Sequence, residues 1–261
     1  DFFKLSNNLL NAYGNALLNL RWNHLFNDKL FSNLSAIYSN YDYRFDFNLL
    51  DMEWTSGIES FNLKYDFRNY LSERFKLSYG LQGLYYVFKP GKIVPTSSTS
   101  TIKEKILDNK YAAETAFYAD AEHKLTDALT LSYGLRLSSF YHLGKRKVNV
   151  YRNNSPIEFN VNRQIYYKGT PIGTKYYDSG KIIDLYSNFE PRFTMSYAFN
   201  DHQSVKASYA RTAQYVHLIS NTSSPTPLNV WAPTDEFIKP QLADQVAVGY
   251  ASNFSNDKYT I

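Results

Sequence analysis

Residues 75 to 88 read FKLSYGLQGLYYVF. From Phe75 to Gln82 apolar and polar side chains alternate, and a period of two is typical of a β-strand with one apolar face. Residues 129 to 139, LTLSYGLRLSS, repeat the pattern with Leu or Tyr at the odd positions from 129 to 137. Further copies, some of them weaker, occupy 16–25, 30–47, 61–67, 112–124, 192–199, 205–210 and 245–250. The sequence therefore predicts a chain built mainly of β-strands.

The connections between these segments alternate between short and long. The short ones are rich in Asn, Asp, Ser and Thr, whose side chains hydrogen-bond to the backbone of a turn. Outer-membrane β-barrels place short turns on the periplasmic side and long loops outside, whereas soluble sandwiches do not usually sort their connections so strictly. We therefore predict an antiparallel transmembrane β-barrel with about nine strands and the start of a tenth. The predicted turns are 27–29, 72–74, 126–128, 200–202 and 256–258, and the predicted loops are roughly 40–55, 89–110, 144–186 and 218–240.

Two other structures fit parts of the pattern. Residues 112–125 contain Ala, Glu, Lys and Leu, which favour a helix by propensity. A soluble all-β protein with large loops also fits, but it needs a second sheet to cover the apolar rows, and the alternating loop lengths do not suggest one. Within 30–47 the apolar positions change phase, which predicts a β-bulge.

The composition agrees with a barrel and excludes several other classes. Aromatic residues make up 17% of the 261 residues, with 24 Tyr, 18 Phe and 3 Trp, and such rings favour strands and membrane interfaces. No apolar run approaches the roughly 20 residues of a transmembrane helix. The mean hydropathy of −0.44 is compatible with a barrel, because only alternate residues of each strand face lipid. A net charge of +4 over this length does not predict nucleic-acid binding.

Nothing in the sequence predicts chemistry. There is no cysteine, the five histidines are scattered, and no Gly-rich phosphate loop or nucleophile elbow occurs. We expect no metal site, no cofactor and no enzymatic activity. The chain begins and ends within the strand pattern and has no signal peptide, so we expect residues 1–261 to be part of a single barrel domain of a longer protein.

Polar side chains on the strands and aromatic side chains in the loops are the candidate site residues. Arg21, Arg136 and Arg192 fall on the polar side of their strands and are predicted to face the lumen. A wall facing a plug needs such groups for ion pairs, and a wall facing a polar solute needs them for binding. Ligand binding is predicted for Tyr215, His217 and Trp231 in the last long loop.

The loop 144–186 carries eight basic and three acidic residues. A loop with this balance is solvated, binds lipopolysaccharide phosphates or attracts an anionic ligand, and the sequence leaves these three readings open. Several aromatic residues lie in the same loop, and sugars or planar chelates stack on such rings.

In the stretch 189–250, Pro191-Arg192 is predicted to open a strand, Asn200-Asp201 to form a turn, and Ser208-Tyr209-Ala210-Arg211 to end the next strand before a long loop. With these motifs the stretch resembles the barrel of TonB-dependent outer-membrane receptors of the Bacteroidetes type. The resemblance covers roughly 112–250, and its other motifs are 214–221, 227–234, Ile238-Lys239-Pro240-Gln241 and 244–250, with an upstream echo at 117–120 and 132–136.

The resemblance implies a barrel of roughly 22 strands in the outer membrane of a Gram-negative bacterium, closed by an N-terminal plug domain. It also implies uptake of a scarce nutrient, driven through the TonB energy-coupling complex by regions outside this chain, where we place the plug and the TonB box. Siderophore, cobalamin, glycan and peptide ligands all remain open, and so does a surface lipoprotein that covers the barrel. The alternatives are a passive porin-like channel and a structural or adhesive outer-membrane barrel.

Overall fold

The computed structural model describes residues 9–219, 230–254 and 259–260. In these residues the chain forms seventeen β-strands, with short 3-10 turns at Asn48–Leu50 and Arg152–Asn154. The strands are β1 (Leu9–Asn27), β2 (Leu30–Phe47), β3 (Met52–Ser72), β4 (Phe75–Pro95), β5 (Lys105–Ile106), β6 (Lys110–Lys124), β7 (Leu129–Leu143), β8 (Arg146–Tyr151), β9 (Ile157–Asn160), β10 (Ile165–Lys168), β11 (Pro171–Tyr177), β12 (Ile182–Asn200), β13 (Gln203–Gln214), β14 (Val216–Ile219), β15 (Val230–Pro233), β16 (Gln241–Phe254) and β17 (Tyr259–Thr260).

Nine long strands form one antiparallel sheet in the order β1-β2-β3-β4-β6-β7-β12-β13-β16, and the short β17 follows β16 as a tenth. The predicted strand number and antiparallel arrangement are therefore confirmed. Each long strand pairs with its neighbour in sequence once the loop hairpins are left out, which is the up-and-down order of a barrel wall. In the described residues β1 has a partner on one side only, so the sheet is an open segment of wall.

The short turns form by the side-chain hydrogen bonds that their sequences predict. Asn27 Oδ1 accepts hydrogen bonds from the backbone N–H groups of Lys29 and Leu30, both at 2.9 Å. Thr126 Oγ1 accepts from the N–H of Leu129 at 3.0 Å. Equivalent bonds to Ser72 Oγ and Asn200 Oδ1 close the other two described turns. The predicted turn 256–258 lies outside the described residues.

The two faces of the sheet differ in chemistry, because directly paired residues lie on the same side. On one face Asp66, Gly80, Tyr118, Arg136 and Glu190 form a continuous row from β3 to β12. We call this side the polar face. The row beside it on the other side, the apolar face, contains Tyr65, Leu81, Phe117 and Leu137, of which the last three are 39% to 58% exposed.

The predicted loop 40–55 is wrong, because β2 and β3 continue as a paired hairpin and leave only 48–51 between them. The predicted bulge is also wrong, since β2 pairs with β3 without interruption over Leu30–Phe47, and the one register shift in its pairing with β1 lies between Leu25 and Asn27 of β1, beside the turn. Tyr43, Phe45 and Trp54 instead form a buried cluster on the polar side. The phase change in the sequence therefore marks the point along β2 where its apolar side chains move from the apolar face to the polar face of the sheet.

The other long connections are also shorter or more ordered than predicted. β4 runs on to Pro95, and the connection between β7 and β12 contains two hairpins, β8 with β11 and β9 with β10. The helix considered for 112–125 is wrong, because those residues form most of β6 between β4 and β7. Among the described residues there is no helix long and apolar enough to cross a membrane.

Candidate functional site

A hairpin from the last long loop lies over the polar face of the sheet. β14 and β15 pair with each other in antiparallel register, and β15 contacts β3, β4 and β6. The hairpin begins after β13, so it crosses β12 and β7 to reach these strands. The loop is therefore folded back onto the wall at its outer end. We call β14, β15 and the residues that join them to the wall the inner hairpin.

Tyr215 anchors the start of the inner hairpin. Its ring stacks on Phe140 of β7 with the ring centroids 5.1 Å apart and the planes within 7° of parallel. Its hydroxyl lies 2.8 Å from Ser138 Oγ and accepts a hydrogen bond of 2.8 Å from Asn188 Nδ2. Only 3% of the residue is exposed, and Phe88 completes the same apolar cluster. Tyr215 thus joins the hairpin to three strands of the wall.

A charged network lies directly beside this anchor. Arg136 stands between two carboxylates, with NH2 3.4 Å from Glu114 Oε1 and Nε 3.7 Å from Glu190 Oε1. Glu190 is buried and accepts hydrogen bonds from Ser138 Oγ at 2.6 Å and from the N–H of Ala213 at 3.3 Å. Because Ala213 immediately precedes the hairpin, the network fixes the point at which the chain leaves β13. A buried carboxylate with these partners is held by charge and by hydrogen bonds together.

The two strands of the inner hairpin are joined by a buried polar contact. His217 Nε2 lies 2.9 Å from Thr234 Oγ1, and both side chains are buried. The N–H of Thr234 also donates to the carbonyl of Tyr215 at 2.7 Å. Burial lowers the pKa of His217, and the nearby Asp235 opposes this effect only in part. The imidazole is therefore neutral at neutral pH.

A second group of polar and charged side chains holds the chain where it leaves β15 to the extended tops of β7 and β12. His142 is fully buried, with Nδ1 3.2 Å from Asp184 Oδ2 and Nε2 3.3 Å from Arg146 NH1. Arg146 also lies 3.9 Å from Asp235, whose carbonyl accepts a hydrogen bond of 3.0 Å from the Tyr186 hydroxyl. Both arms of the hairpin are thus fixed at its base by polar contacts.

The predicted lumen-facing arginines share one face of the sheet. Arg21 is in register with Ser35, which pairs with Lys64, and this row continues to Ser138 on the polar face. Arg192 lies opposite Gly134, also on that face. Arg136 makes the ion pairs described above, whereas Arg21 and Arg192 are exposed and have no ion pair within the described residues.

The three predicted ligand residues all belong to the inner hairpin. Tyr215 and His217 are buried and contact other parts of the protein, while Trp231 is half-buried against the cluster around Phe88. Direct ligand contact by these three side chains stays a prediction. The sequence did not single out Ser138, Phe140 or Glu190. They belong to regular strands, and no local motif indicates that a distant loop packs on them.

The whole chain matches one protein family. The family model described as "TonB dependent receptor-like, beta-barrel" matches residues 2–261. The chain belongs to this family of outer-membrane receptor barrels. The Bacteroidetes type suggested by the sequence stays a prediction. Comparison with curated protein sequences gives no significant match.

Solved structures of the same fold agree with this assignment. The structure titled "Copper transporter OprC" superposes with a TM-score of 0.61 at 12% identity, covering 95% of this chain and 38% of that one. The alcaligin outer-membrane receptor FauA from Bordetella pertussis gives 0.55 at 13% identity, covering 97% and 35%. BauA, the ferric preacinetobactin receptor from Acinetobacter baumannii, gives 0.55 at 12% identity, covering 92% and 35%. The chain thus spans little more than a third of these proteins, and identities this low show the fold alone.

Proposed function

We propose that this chain forms part of the wall of a TonB-dependent transporter in the outer membrane of a Gram-negative bacterium. The polar face lines the lumen, with Arg21, Arg136 and Arg192 among the lining residues, and the apolar face contacts lipid and lipopolysaccharide. The short turns lie in the periplasm and the long connections outside the cell. Family membership and the separation of the sheet into one polar and one apolar face support this assignment.

The plug domain and the TonB energy-coupling complex complete the proposed machine. Both act through parts of the protein outside residues 1–261. A surface lipoprotein is compatible with the exposed outer hairpins but has no specific support. Enzymatic activity is not part of the proposal.

The position of the inner hairpin is the main structural support for the transport proposal. It covers the polar face at the outer end of the wall and is attached there by side-chain contacts, polar and apolar, rather than by sheet hydrogen bonds. An element in this position lies between the outer loops and the lumen. In the proposed cycle, a ligand captured by the loops passes the hairpin before the plug rearranges.

A loop folded against the inner wall is also typical of a porin constriction. A passive channel is therefore the second candidate. The two candidates differ in their need for energy, since a porin conducts down a gradient and a TonB-dependent transporter requires the coupling complex.

The ligand is not fixed by the fold. The structural neighbours are a copper transporter, an alcaligin receptor and a ferric preacinetobactin receptor, and we carry metal and siderophore uptake over only as candidates beside cobalamin, glycan and peptide.

The deciding experiment is nutrient-dependent growth of cells that express the full-length protein, with and without a functional TonB complex. The nutrients are supplied singly as sole source, from the candidate classes above. Growth that requires both the protein and TonB supports the transporter. Growth that requires the protein but persists without TonB would instead assign a passive channel.

A further inference from the structure

The outer connection between β7 and β12 presents apolar side chains to water. In the hairpin of β9 and β10, Phe159 pairs with Tyr166 and Ile157 pairs with Lys168, so these four residues share one face. Ile157, Phe159 and Tyr166 are 49% to 75% exposed. The hairpin lies beyond the ends of the long strands, where lipid does not account for exposed rings. Exposed apolar side chains of this kind mark interaction sites.

A cavity of about 640 Å³ lies beside this face. Its size falls within the range of small-molecule sites, roughly 300 to 1,000 Å³. The 3-10 turn that follows β8 contributes one side of the cavity, β9 contributes another and the start of β11 a third. Its lining includes Arg152, Asn153, Ser155, Glu158, Phe159 and Ile172.

The lining of the cavity includes hydrogen-bond donors and acceptors and an aromatic ring, with the side chains of Glu158 and Phe159 on opposite faces of β9. Arg152 is exposed and has no ion pair within the described residues, so its guanidinium N–H groups are free to donate. Glu158 Oε2 accepts a hydrogen bond of 2.7 Å from the Tyr167 hydroxyl, which orients the carboxylate and leaves Oε1 to accept from a ligand. The Phe159 ring is half exposed and offers an apolar surface.

We propose that this cavity binds an acidic carbohydrate. The apolar side of one sugar ring packs on Phe159, the hydroxyls of a neighbouring sugar in the same oligosaccharide donate to Glu158 on the other face of β9 and accept from Asn153, and an acid group pairs with Arg152. A carboxylate or sulfate matches the planar guanidinium fork. Glu158 disfavours a ligand that carries only negative charge, because such a ligand brings no hydroxyl to donate to it. The basic surplus of the connection attracts the acidic chain toward the site.

The inference deepens the proposed transport function, since it names a ligand class for the outer loops. Binding itself does not depend on energy coupling. A loss of binding and a loss of TonB-dependent growth are therefore separate results. The test is isothermal titration of the purified full-length protein with tetragalacturonate, an alginate tetramannuronate and a heparin tetrasaccharide. Methyl-esterified tetragalacturonate has the same rings without the charge and is the matched ligand control.

Saturable binding of at least one acidic oligosaccharide is expected. For a uronate, the methyl ester binds about tenfold more weakly, which is the effect of one charged hydrogen bond. Arg152→Gln and Phe159→Ala each weaken binding by about tenfold. Lys181→Gln removes the same charge from the same connection away from the cavity and leaves the affinity within about twofold.

Three results would overturn the assignment. The first is the absence of saturable binding with all three probes. The second is binding that Arg152→Gln and Lys181→Gln weaken equally, because the loop would then act only through its total charge. The third is binding to lipopolysaccharide aggregates without binding to any free oligosaccharide, which would assign the hairpin to the membrane surface.

Discussion

Tyr215 gives the most direct way to loosen the inner hairpin without disturbing the wall. Tyr215→Phe keeps the ring on Phe140 and removes a hydroxyl that lies 2.8 Å from both Ser138 Oγ and Asn188 Nδ2. Each hydrogen bond contributes about 1 kcal/mol net, so the loss is about 1 to 2 kcal/mol. The lower value applies if the hydrogen bond from Ser138 to Glu190 fully satisfies the serine hydroxyl after the tyrosine hydroxyl is removed. The opening equilibrium of the hairpin then rises roughly 5-fold to 30-fold.

Tyr215→Ala removes the ring as well. Truncating a buried aromatic residue costs about 3 to 5 kcal/mol, and here most of that loss falls on the contact between hairpin and wall. We expect the alanine variant to keep the sheet and to lose most of the protection of β14 and β15.

The assay is hydrogen exchange with mass spectrometry on the full-length protein in detergent. Peptides from β14 and β15 exchange faster in both variants, while peptides from β6 and β7 do not change. Tyr176→Phe is the control, because that side chain is 62% exposed on the outer connection. The reasoning is refuted if Tyr215→Ala leaves the hairpin as protected as the wild type, or if protection falls equally over the whole sheet.

Three further predictions concern charge, pH and space. Arg136→Met leaves the carboxylates of Glu114 and Glu190 without their cation, so the free energy of unfolding falls by about 3 kcal/mol. The measurement is the temperature of the heat-dependent gel shift, which is lower in this variant. The control Arg21→Met changes stability by less than about 0.5 kcal/mol. Because burial lowers the pKa of His217, the open hairpin binds a proton more readily than the closed one, so hairpin protection falls as the pH drops below about 6.5. Hydrogen exchange corrected for the intrinsic rate measures this loss, and it is smaller in His217→Gln. A Cβ at Gly80 would lie 2.5 Å from the Tyr118 hydroxyl and 2.6 Å from the Tyr65 carbonyl oxygen. Gly80→Ala therefore lowers stability by about 1 to 3 kcal/mol in the same gel assay. The control Gly83→Ala is tolerated, because a Cβ there has no atom within 4 Å.

The strands and short turns were predictable because each depends on local chemistry. In β4 and β7 the apolar positions recur every second residue, which is the spacing of a strand with one apolar face. The turns at 27–29 and 126–128 each contain the side chain that closes them. Such signals lie within a few residues of the structure that they specify.

The extended hairpin of β2 and β3 was missed because the apolar side chains of its outer part lie on the polar side of the sheet. There the alternation reverses, since Tyr43 and Phe45 pack on Trp54 on the polar side. A change of phase within one strand looks like a bulge when the covered face is assumed to be constant. Only the uninterrupted pairing of 31–47 with both neighbouring strands shows that the chain keeps its register there.

The part of the site that lies on a regular strand was predictable from the local sequence pattern. The position of Arg136 on the polar face followed from the period of β7. The contact between Tyr215 and Ser138 joins residues 77 positions apart, and no short motif encodes it. The loop residues were therefore identified from their aromatic type, while their packing against the wall required the structure.

The central claim is that this chain is a transmembrane wall with its long connections outside the cell. A cysteine-accessibility scan on the full-length protein in intact cells tests it most directly, because residues 1–261 contain no cysteine to interfere. Single cysteines replace Lys147 and Lys168 in the outer connection, and Asp28 and Asp127 in the turns. An impermeant thiol reagent is predicted to label the first pair and to label the second pair only after the outer membrane is opened. Equal labelling of both pairs in intact cells would contradict the account.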